Sequence, residues 1–476
     1  MPAAAYIAED LVKVVGEENE KETIVLAWGD PVEVLGEKNG RTRVQVRGRD
    51  GKPWIGTVKG KLPTQPKSVL QFSMVDVQQG DGMVLQTPEG KVLFIDGGDN
   101  KLFARYAAAR FGGTSQDQPL EVEAMLITHG DADHFAGLSE IVKSETHKTP
   151  RKRLFLHPRR VFHNGLVKGP EKLKVEQIFG RTVETSTGRA VVDLVDDLRE
   201  APAARMNTHF KRWAESIRHW AEHGPIEMRR LAFGDGDAFD FLSSEGIKVS
   251  VYGPIPQTLT VGGKKVAALP LLHTPPKTVA LPGEEKSGAF SASHTINGHS
   301  VVLRLEYGNV RFLLSGDLNQ ESMEALRKKV LAKELESEIL KVPHHGSADF
   351  DQSALEAIAP VVSLISSGDE SAKKEYIHPR ATLMGALGRA SRGNPALVFC
   401  TELAAFFAVR GLSVDQKTKK VYFGFERTSF GIIHVRTDGE RVLVFTHSGK
   451  AELKEAYRFD VDAQHQVEFA ADVKKR

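Results

Sequence analysis

The amino-acid sequence predicts an α/β sandwich carried behind a small all-β barrel. Three observations predict it. Short alternating strands separated by turn residues fill the N-terminal stretch. From Ser68 onward, apolar runs of strand length are mixed with helix-like segments. Further on, Tyr307-Gly308-Asn309 and Asp438-Gly439 have the composition of tight hairpin turns. At 476 residues the chain exceeds one ordinary domain, so two units with a large buried core are expected.

The first unit is placed at residues 1–65. Its segments TIVLAWGD, PVEVLGEKNG, RTRVQVRGRDGK and PWIGTVKG read as strands, the later ones alternating apolar and polar residues. The prolines of KLPTQPKS mark a linker. The GDPVEVLG and WIGTV segments resemble bacterial SH3-like domains. That resemblance implies a docking module with a protein or peptide partner.

The second unit is placed at residues 66–476. It opens with strands VLQFSMVDV, GMVLQTP and KVLFIDGG, a helix KLFARYAAARF, and a strand EAMLITHG. Residues 147–226 read as a largely helical insertion containing the amphipathic FKRWAESIRHWAEH, and residues 255–293 as a Pro- and Gly-rich one. Both are candidates for substrate-binding walls or lids. The hairpin SVVLRLEYGNVRFLLSGD follows, then a helix QESMEALRKKVLAKELE and the strands EILKVPHHGS and VVSLISSGD. A closing hairpin is read in GIIHVRTDGERVLVFTHSG.

Composition narrows the chemistry. A net charge of +2 announces neither a nucleic acid nor a membrane surface by itself. No run approaches the ~20 apolar residues of a membrane span, and MPAAAYIAEDLVKVVGEENEKE turns acidic too early for a signal peptide. A cytoplasmic protein without a membrane partner is expected. Cys400, the only cysteine, lies in the apolar run ALVFC and reads as a buried thiol. A metal would therefore rely on His and carboxylates.

Such groups are concentrated in THGDADH, Thr128 to His134, between the apolar strand AMLI and a helix-like FAGLSEIVK. His129, Asp131, Asp133 and His134 can face two directions from one loop, so one loop can serve two ions. A helix N-cap would need only one of these carboxylates. Three further strands end in the same kind of residue: Asp317 after VRFLLSG, His344 and His345 after EILKVP, and His378 in the loop beyond VVSLISSGD. Each candidate follows the C-terminal end of a strand, which a core-filling role does not predict.

His-x-Asp-x-Asp-His resembles the signature loop of metallo-β-lactamase-fold hydrolases, in the variant with Asp in place of the second His. Taken with VDVQQGD, FIDGG, SGDL, KVPHHGS and His378-Pro379, it makes the stretch from about Ser68 to Ser448 resemble the hydrolase domain of ComEC-like competence proteins. The resemblance implies an αββα sandwich, interrupted by the two insertions, that holds two divalent metal ions. It places His129, Asp131, Asp133, His134, Asp317, His345 and His378 as metal ligands, with Asp317 bridging. Gln78 stands where the family has Gly. The nitrogen ligand usual before a strand is either His299 of INGHSVVL, or is replaced because Asn297 occupies that loop and the His344-His345 pair supplies it. The second alternative is favoured, His345 ahead of His344.

The implied activity is phosphodiester cleavage of the nuclease type, by in-line attack of a hydroxide held between the ions. Asp133, Asp317, His344 and His345 are the expected catalytic groups, the imidazole that is not a ligand binding the phosphate. Zinc and manganese both suit a set of nitrogens and carboxylates. Asp76, Asp81 and Asp96 are expected behind the ligands, fixing their orientation. Arg151, Lys152, Arg153, Arg159 and Arg160 form a basic stretch suited to DNA or RNA or equally to a solvated face. Hydrolysis of a small phosphodiester, a nucleotide signal or a lactone is the alternative activity. A non-catalytic binding protein built on the SH3-like module is disfavoured by the full ligand set.

Overall fold

The computed structural model describes residues 5–48, 51–186, 188–274, 289–368, 378–402, 407–414, 419, 421–427, 431–448 and 452–473. Two large sheets lie face to face between helices. One has ten strands, in the order Glu227–Arg230, Arg160–His163, Ala124–Leu126, Val92–Asp96, Gly82–Gln86, Leu70–Met74, Ile432–Thr437, Arg441–Ser448, Glu452–Val461 and Val467–Phe469. The other has six: Ile247–Gly253, Val302–Tyr307, Val310–Leu314, Ile339–Lys341, Val362–Ile365 and Leu397–Cys400.

Strand alternation explains the layers. In Val92–Asp96, Leu93 and Ile95 point between the sheets, while Val92 and Phe94 point outward to a helix. Both faces are covered, which is why these strands read as continuous apolar runs. The inner core joins Phe72, Leu85 and Leu126 to Leu303, Phe312 and Leu364 of the facing sheet. Phe72 and Phe312 meet with ring centroids 5.9 Å apart, and each contributes roughly 2–3 kcal/mol by leaving water. Helices Leu102–Phe111 and Thr208–Ala221 cover the outside of the ten-stranded sheet. Helices Gln320–Lys329, Gln352–Ile358 and Ala381–Ala390 cover the six-stranded one. The helix–sheet–sheet–helix order agrees with the expected α/β sandwich.

The N-terminal stretch forms a separate seven-stranded sheet, from Ala5–Ile7 to Thr64–Gln65, around Ile7, Val12, Val14, Val44 and Val58. It does not hang free. Trp28 and Leu11 share a core with Val69, Leu443 and Phe445 of the ten-stranded sheet. The Arg441 guanidinium lies 3.5 Å from the Trp28 ring centroid, and Arg436 pairs with Asp30 at 2.8 Å.

The expected insertions are corrected in one respect. Residues 147–226 are not largely helical: Arg160–His163 is a strand of the main sheet, and Thr182–Thr185 and Gly188–Val191 form a hairpin. That hairpin pairs with Lys264–Pro270, through Ala190 opposite Pro270 and Val191 opposite Leu269. With Gln257–Val261 the two insertions make one four-stranded sheet. A run of small alternating strands lacks the long apolar period that marks core strands, so sequence pattern favoured the one long amphipathic helix. Within the second insertion, residues 275–288 lie outside the described residues.

Candidate metal centre

The loop His129–His134 leaves the strand Ala124–Leu126 and enters a short helix, Ala132–Phe135. Gly130 is required there, because a Cβ would stand 2.4 Å from the Phe210 ring of the overlying helix. Gly80, at φ +96°, lets a neighbouring loop press on the same segment, where a Cβ would fall 1.7 Å from the Asp133 carbonyl oxygen. Asp96, at the end of its strand, adopts φ 56°, and its buried carboxylate accepts from the Thr128 amide at 2.8 Å and the Thr128 hydroxyl at 2.7 Å.

Asp317 follows the strand Val310–Leu314, and its amide donates to the Ser300 hydroxyl at 2.9 Å. His344 and His345 follow Ile339–Lys341 with φ 49° and 51°, two successive left-handed residues that are not glycine. Such backbone costs about 1–3 kcal/mol per residue and persists where the surroundings impose it. Here it turns the two rings apart. His345 faces Asp317, while His344 faces Asn297 at 3.4 Å.

Four donors from three distant segments face one another. His345 Nε2 lies 3.0 Å from Asp317 Oδ2, 3.3 Å from His134 Nε2 and 3.7 Å from Asp133 Oδ2, and His134 Nε2 lies 3.2 Å from the same Asp317 oxygen. The far edges of both rings face carboxylates. His134 Nδ1 is 2.9 Å from Asp96 Oδ2, and His345 Nδ1 is 3.4 Å from Asp81 Oδ1. A ring that donates from Nδ1 presents its Nε2 lone pair as a ligand. Asp81, His134, Asp317 and His345 each bring a donor atom within 4.8 Å of the others. Asp81 meets the Nδ1 edges, so the Nε2 edges of His134 and His345 turn to Asp317 Oδ2, and Asp133 Oδ2 is the further carboxylate on the side of His345 Nε2. Two imidazole nitrogens and two carboxylates converging in a buried place fit a divalent cation.

The charges reinforce this. Burial opposes protonation of His134 and His345, yet Asp317 with Asp96, and Asp317 with Asp81, outweigh it; His134 is held well above its ordinary value and His345 is raised to about 10. Burial would raise the Asp317 carboxyl, but His134, His345 and Lys341 hold it well below the usual range. A divalent cation bound among these groups would take the place of such protons and release them.

Lys341 was not foreseen. It is fully buried on the strand Ile339–Lys341, ion-pairs with Asp81, donates to the Gly316 carbonyl at 2.7 Å and lies 3.4 Å from Asp317 Oδ1. Burial lowers its pKa, and Asp81 and Asp317 more than reverse that. One lysine inside an apolar strand next to His-His was the available clue.

A second group lies alongside. His129 Nδ1 is held by Thr128 Oγ1 at 3.1 Å and Ser300 Oγ at 3.3 Å, leaving Nε2 toward the Asn297 side chain. With its nitrogen turned that way, the Asn297 carboxamide donates to Asp131 Oδ2 at 3.0 Å and to His129 Nε2 at 3.3 Å. Asp131 Oδ1 accepts from Lys168 Nζ at 2.8 Å. Burial, then the neighbouring His134 charge, holds His129 well below its ordinary value. Burial and the charges of His345 and His344 lower His378 to about 4.

These groups floor a cleft of about 780 Å³ lined by Asp131, Asp133, Asp317, His344, His345 and His378. His209 and His294 line it too. His299 does not belong to it. Its Nε2 donates to the Pro270 carbonyl at 2.7 Å, and burial lowers its pKa to about 4. Asp76 accepts from the Gln78 amide and side chain at 3.3 and 3.0 Å and fixes that loop rather than a ligand.

The basic stretch also lies elsewhere. Arg160 begins a strand parallel to Ala124–Leu126, with Val161 opposite Met125, so it sits about five residues, roughly 16 Å, before the level of His129. Arg159 pairs with Glu121 at 3.1 Å, and Arg160 with Glu123 at 3.1 Å and Glu227 at 3.4 Å. Arg153 donates to the His147 carbonyl at 2.6 Å, while Arg151 and Lys152 lie in the same short turn, Pro150–Lys152. Among the described lining residues of the cleft there is no Lys or Arg.

No protein-family model matches the chain, and no curated protein matches it in sequence. Among solved structures it is similar to a metal-dependent hydrolase of the β-lactamase superfamily, with 10% identity over 70% of this chain and 95% of that one and a TM-score of 0.32. A diphosphatase of the PhnP family gives 12% identity, 62% and 85% coverage and a TM-score of 0.24. Unliganded yeast PDE1 gives 10%, 70% and 97%, and 0.28. Likenesses this loose fix neither fold nor activity, which rest on the residues themselves.

Proposed function

We propose that the chain is a metal-dependent phosphodiester hydrolase, and that a polynucleotide is its substrate. The observation that carries the metal reading is the meeting of Asp133 Oδ2, His134 Nε2, Asp317 Oδ2 and His345 Nε2 at the floor of an open cleft, with the outer edges of both rings facing carboxylates. The phosphodiester comes from the resemblance of the motif set to ComEC-like hydrolase domains, and zinc and manganese both suit the donors.

A divalent cation in this place acidifies water and stabilises negative charge on a phosphoryl oxygen. Asp96 and Asp81 keep His134 and His345 in the ligating orientation. His344 and His378, at the cleft wall with rings 6.0 Å apart, offer N–H donors to a phosphate oxygen. His209, at the start of the helix Thr208–Ala221, and Thr274, Ser291 and Ser293 of the second insertion line the approach. Residues 1–65 are read as an SH3-like docking module set against the hydrolase domain, residues 66–476.

One observation favours a second reading, a small phosphodiester: of the basic residues expected as a polyanion track, Arg159 and Arg160 are paired with glutamates away from the cleft, and Arg153 is bonded to the His147 carbonyl. One experiment separates these. The purified protein is assayed with manganese or zinc on single-stranded DNA, double-stranded DNA, RNA and a chromogenic phosphodiester, at several salt concentrations. Polynucleotide turnover that falls steeply with salt supports the first reading. Turnover of the small ester alone supports the second. Asp317→Asn that retains both metal and full activity would defeat both.

A further inference from the structure

The two halves of the foreseen ligand set differ. Asp133, His134, Asp317 and His345 meet chiefly one another, with Gln79 Nε2 3.5 Å from Asp133 Oδ2, whereas Asp131 is met from outside the set: one oxygen accepts from the Lys168 ammonium at 2.8 Å and, with the Asn297 carboxamide nitrogen turned toward it, the other accepts from that amide at 3.0 Å. His129 Nε2 accepts from the same amide at 3.3 Å, and His299, the remaining imidazole near this side, is bonded to the Pro270 carbonyl. Asp317 turns its second oxygen, Oδ1, to Lys341, 3.4 Å away.

Lys168 and Asn297 are not there by accident of a long side chain. Leu166 and Ile296, two and one residues before them, share a core with Val191 and Leu269 of the sheet built from the two insertions. That packing sets both groups beside His129 and Asp131, next to the four-donor site, where the His129 and His134 ring centroids are 4.0 Å apart.

We infer that the centre holds a single divalent cation firmly, at Asp133, His134, Asp317 and His345, and that Lys168 and Asn297 stand in for a second. The ammonium neutralises Asp131, and the amide fills the point between His129 and Asp131 that a second ion would need. A second cation binds there only weakly, because it must displace both and gains one imidazole, one carboxylate and at most the Asn297 oxygen. Such an oxygen-rich, partly hydrated position suits an ion that arrives with a substrate phosphate. The inference rests on the hydrolase reading above.

The test is metal stoichiometry on the full chain, stripped with chelator and titrated with manganese by calorimetry, with electron paramagnetic resonance of the loaded protein. One tight equivalent, a second at least about 100-fold weaker, and the spectrum of an isolated ion are expected. Asn297→His, which adds a nitrogen ligand, is expected to yield two tight equivalents and a spin-coupled spectrum. Lys168→Met, which frees Asp131 without altering the amide, is expected to tighten the second site by about tenfold. Two equal tight equivalents in the unaltered protein would overturn the inference while leaving the hydrolase reading intact. So would variants that fold and leave the second site unchanged. No tight equivalent at all would overturn the hydrolase reading itself.

Discussion

His134 Nδ1 lies 2.9 Å from Asp96 Oδ2, and this bond decides which nitrogen of the ring faces the cleft. Asp96 can accept from it because its left-handed backbone folds the carboxylate back over Thr128, which donates twice. Asp96→Asn keeps the size and loses the carboxylate that fixes the tautomer. Metal affinity is expected to fall about 10–100-fold with the fold retained. Calorimetric titration beside a circular-dichroism melt checks this, and unchanged affinity would remove Asp96 from the machinery.

Lys341 neutralises two buried carboxylates, Asp81 and Asp317. Lys341→Met is expected to destabilise the metal-free protein by about 3–5 kcal/mol, since it leaves negative charge buried without its partner. Added zinc or manganese is expected to recover part of that loss by supplying positive charge at Asp317. Denaturant titrations with and without metal measure both quantities. A loss that metal does not diminish would mean that Asp81 alone depends on the ammonium.

His299 is buried and neutral, with its pKa lowered from 6.5 to about 4. Its folded value is below its unfolded value, so the unfolded chain binds more protons as the solution is acidified. Stability is therefore full above pH 6.5, declines as the pH falls, and levels off near 4, a loss on the order of 3 kcal/mol from this group. His299→Gln retains a donor for the Pro270 carbonyl, and is expected to flatten that part of the pH–stability curve while leaving metal content unchanged. His163, lowered to about 4 by burial, keeps a share of the acid sensitivity in the variant.

Arg159 and Arg160 are engaged by Glu121, Glu123 and Glu227 at the far end of the strands from His129. The Arg159→Ala, Arg160→Ala double variant is expected to change KM for single-stranded DNA by less than about twofold and to leave its salt dependence unaltered. A tenfold rise in KM would place the polyanion track on that face after all.

The layers and the four-donor site were legible in the sequence because each depends on local pattern. Strands buried on both faces read as unbroken apolar runs, and ligands placed directly after them read as His and Asp where a core residue would otherwise stand. Thr128 to His134 and Lys341 to Gly346 are of this kind. What was not legible depends on contacts between distant segments. Nothing around Lys168 distinguishes it from Lys172 or Lys174 until the insertion sheet sets it beside Asp131. His299 and Asn297 are two residues apart in sequence, and only the turn ending the helix Ala292–Gly298 decides which of them faces the cleft. The arginines of residues 151–160 form a dense basic run in one dimension, and the glutamates that pair with Arg159 and Arg160 come from other segments.

The sheet shared by the two insertions makes them one inheritance. Residues of the first, Ala190 and Val192, are buried against Ala268 of the second, and the strand Gly188–Val191 is paired on one side by Lys264–Pro270. Trimming either segment would strip a neighbour from the other and leave bare backbone beside the mouth of the cleft. Homologous chains should accordingly possess both excursions or neither, and a version with a shortened rim would have to give up Lys168 and Asn297 together.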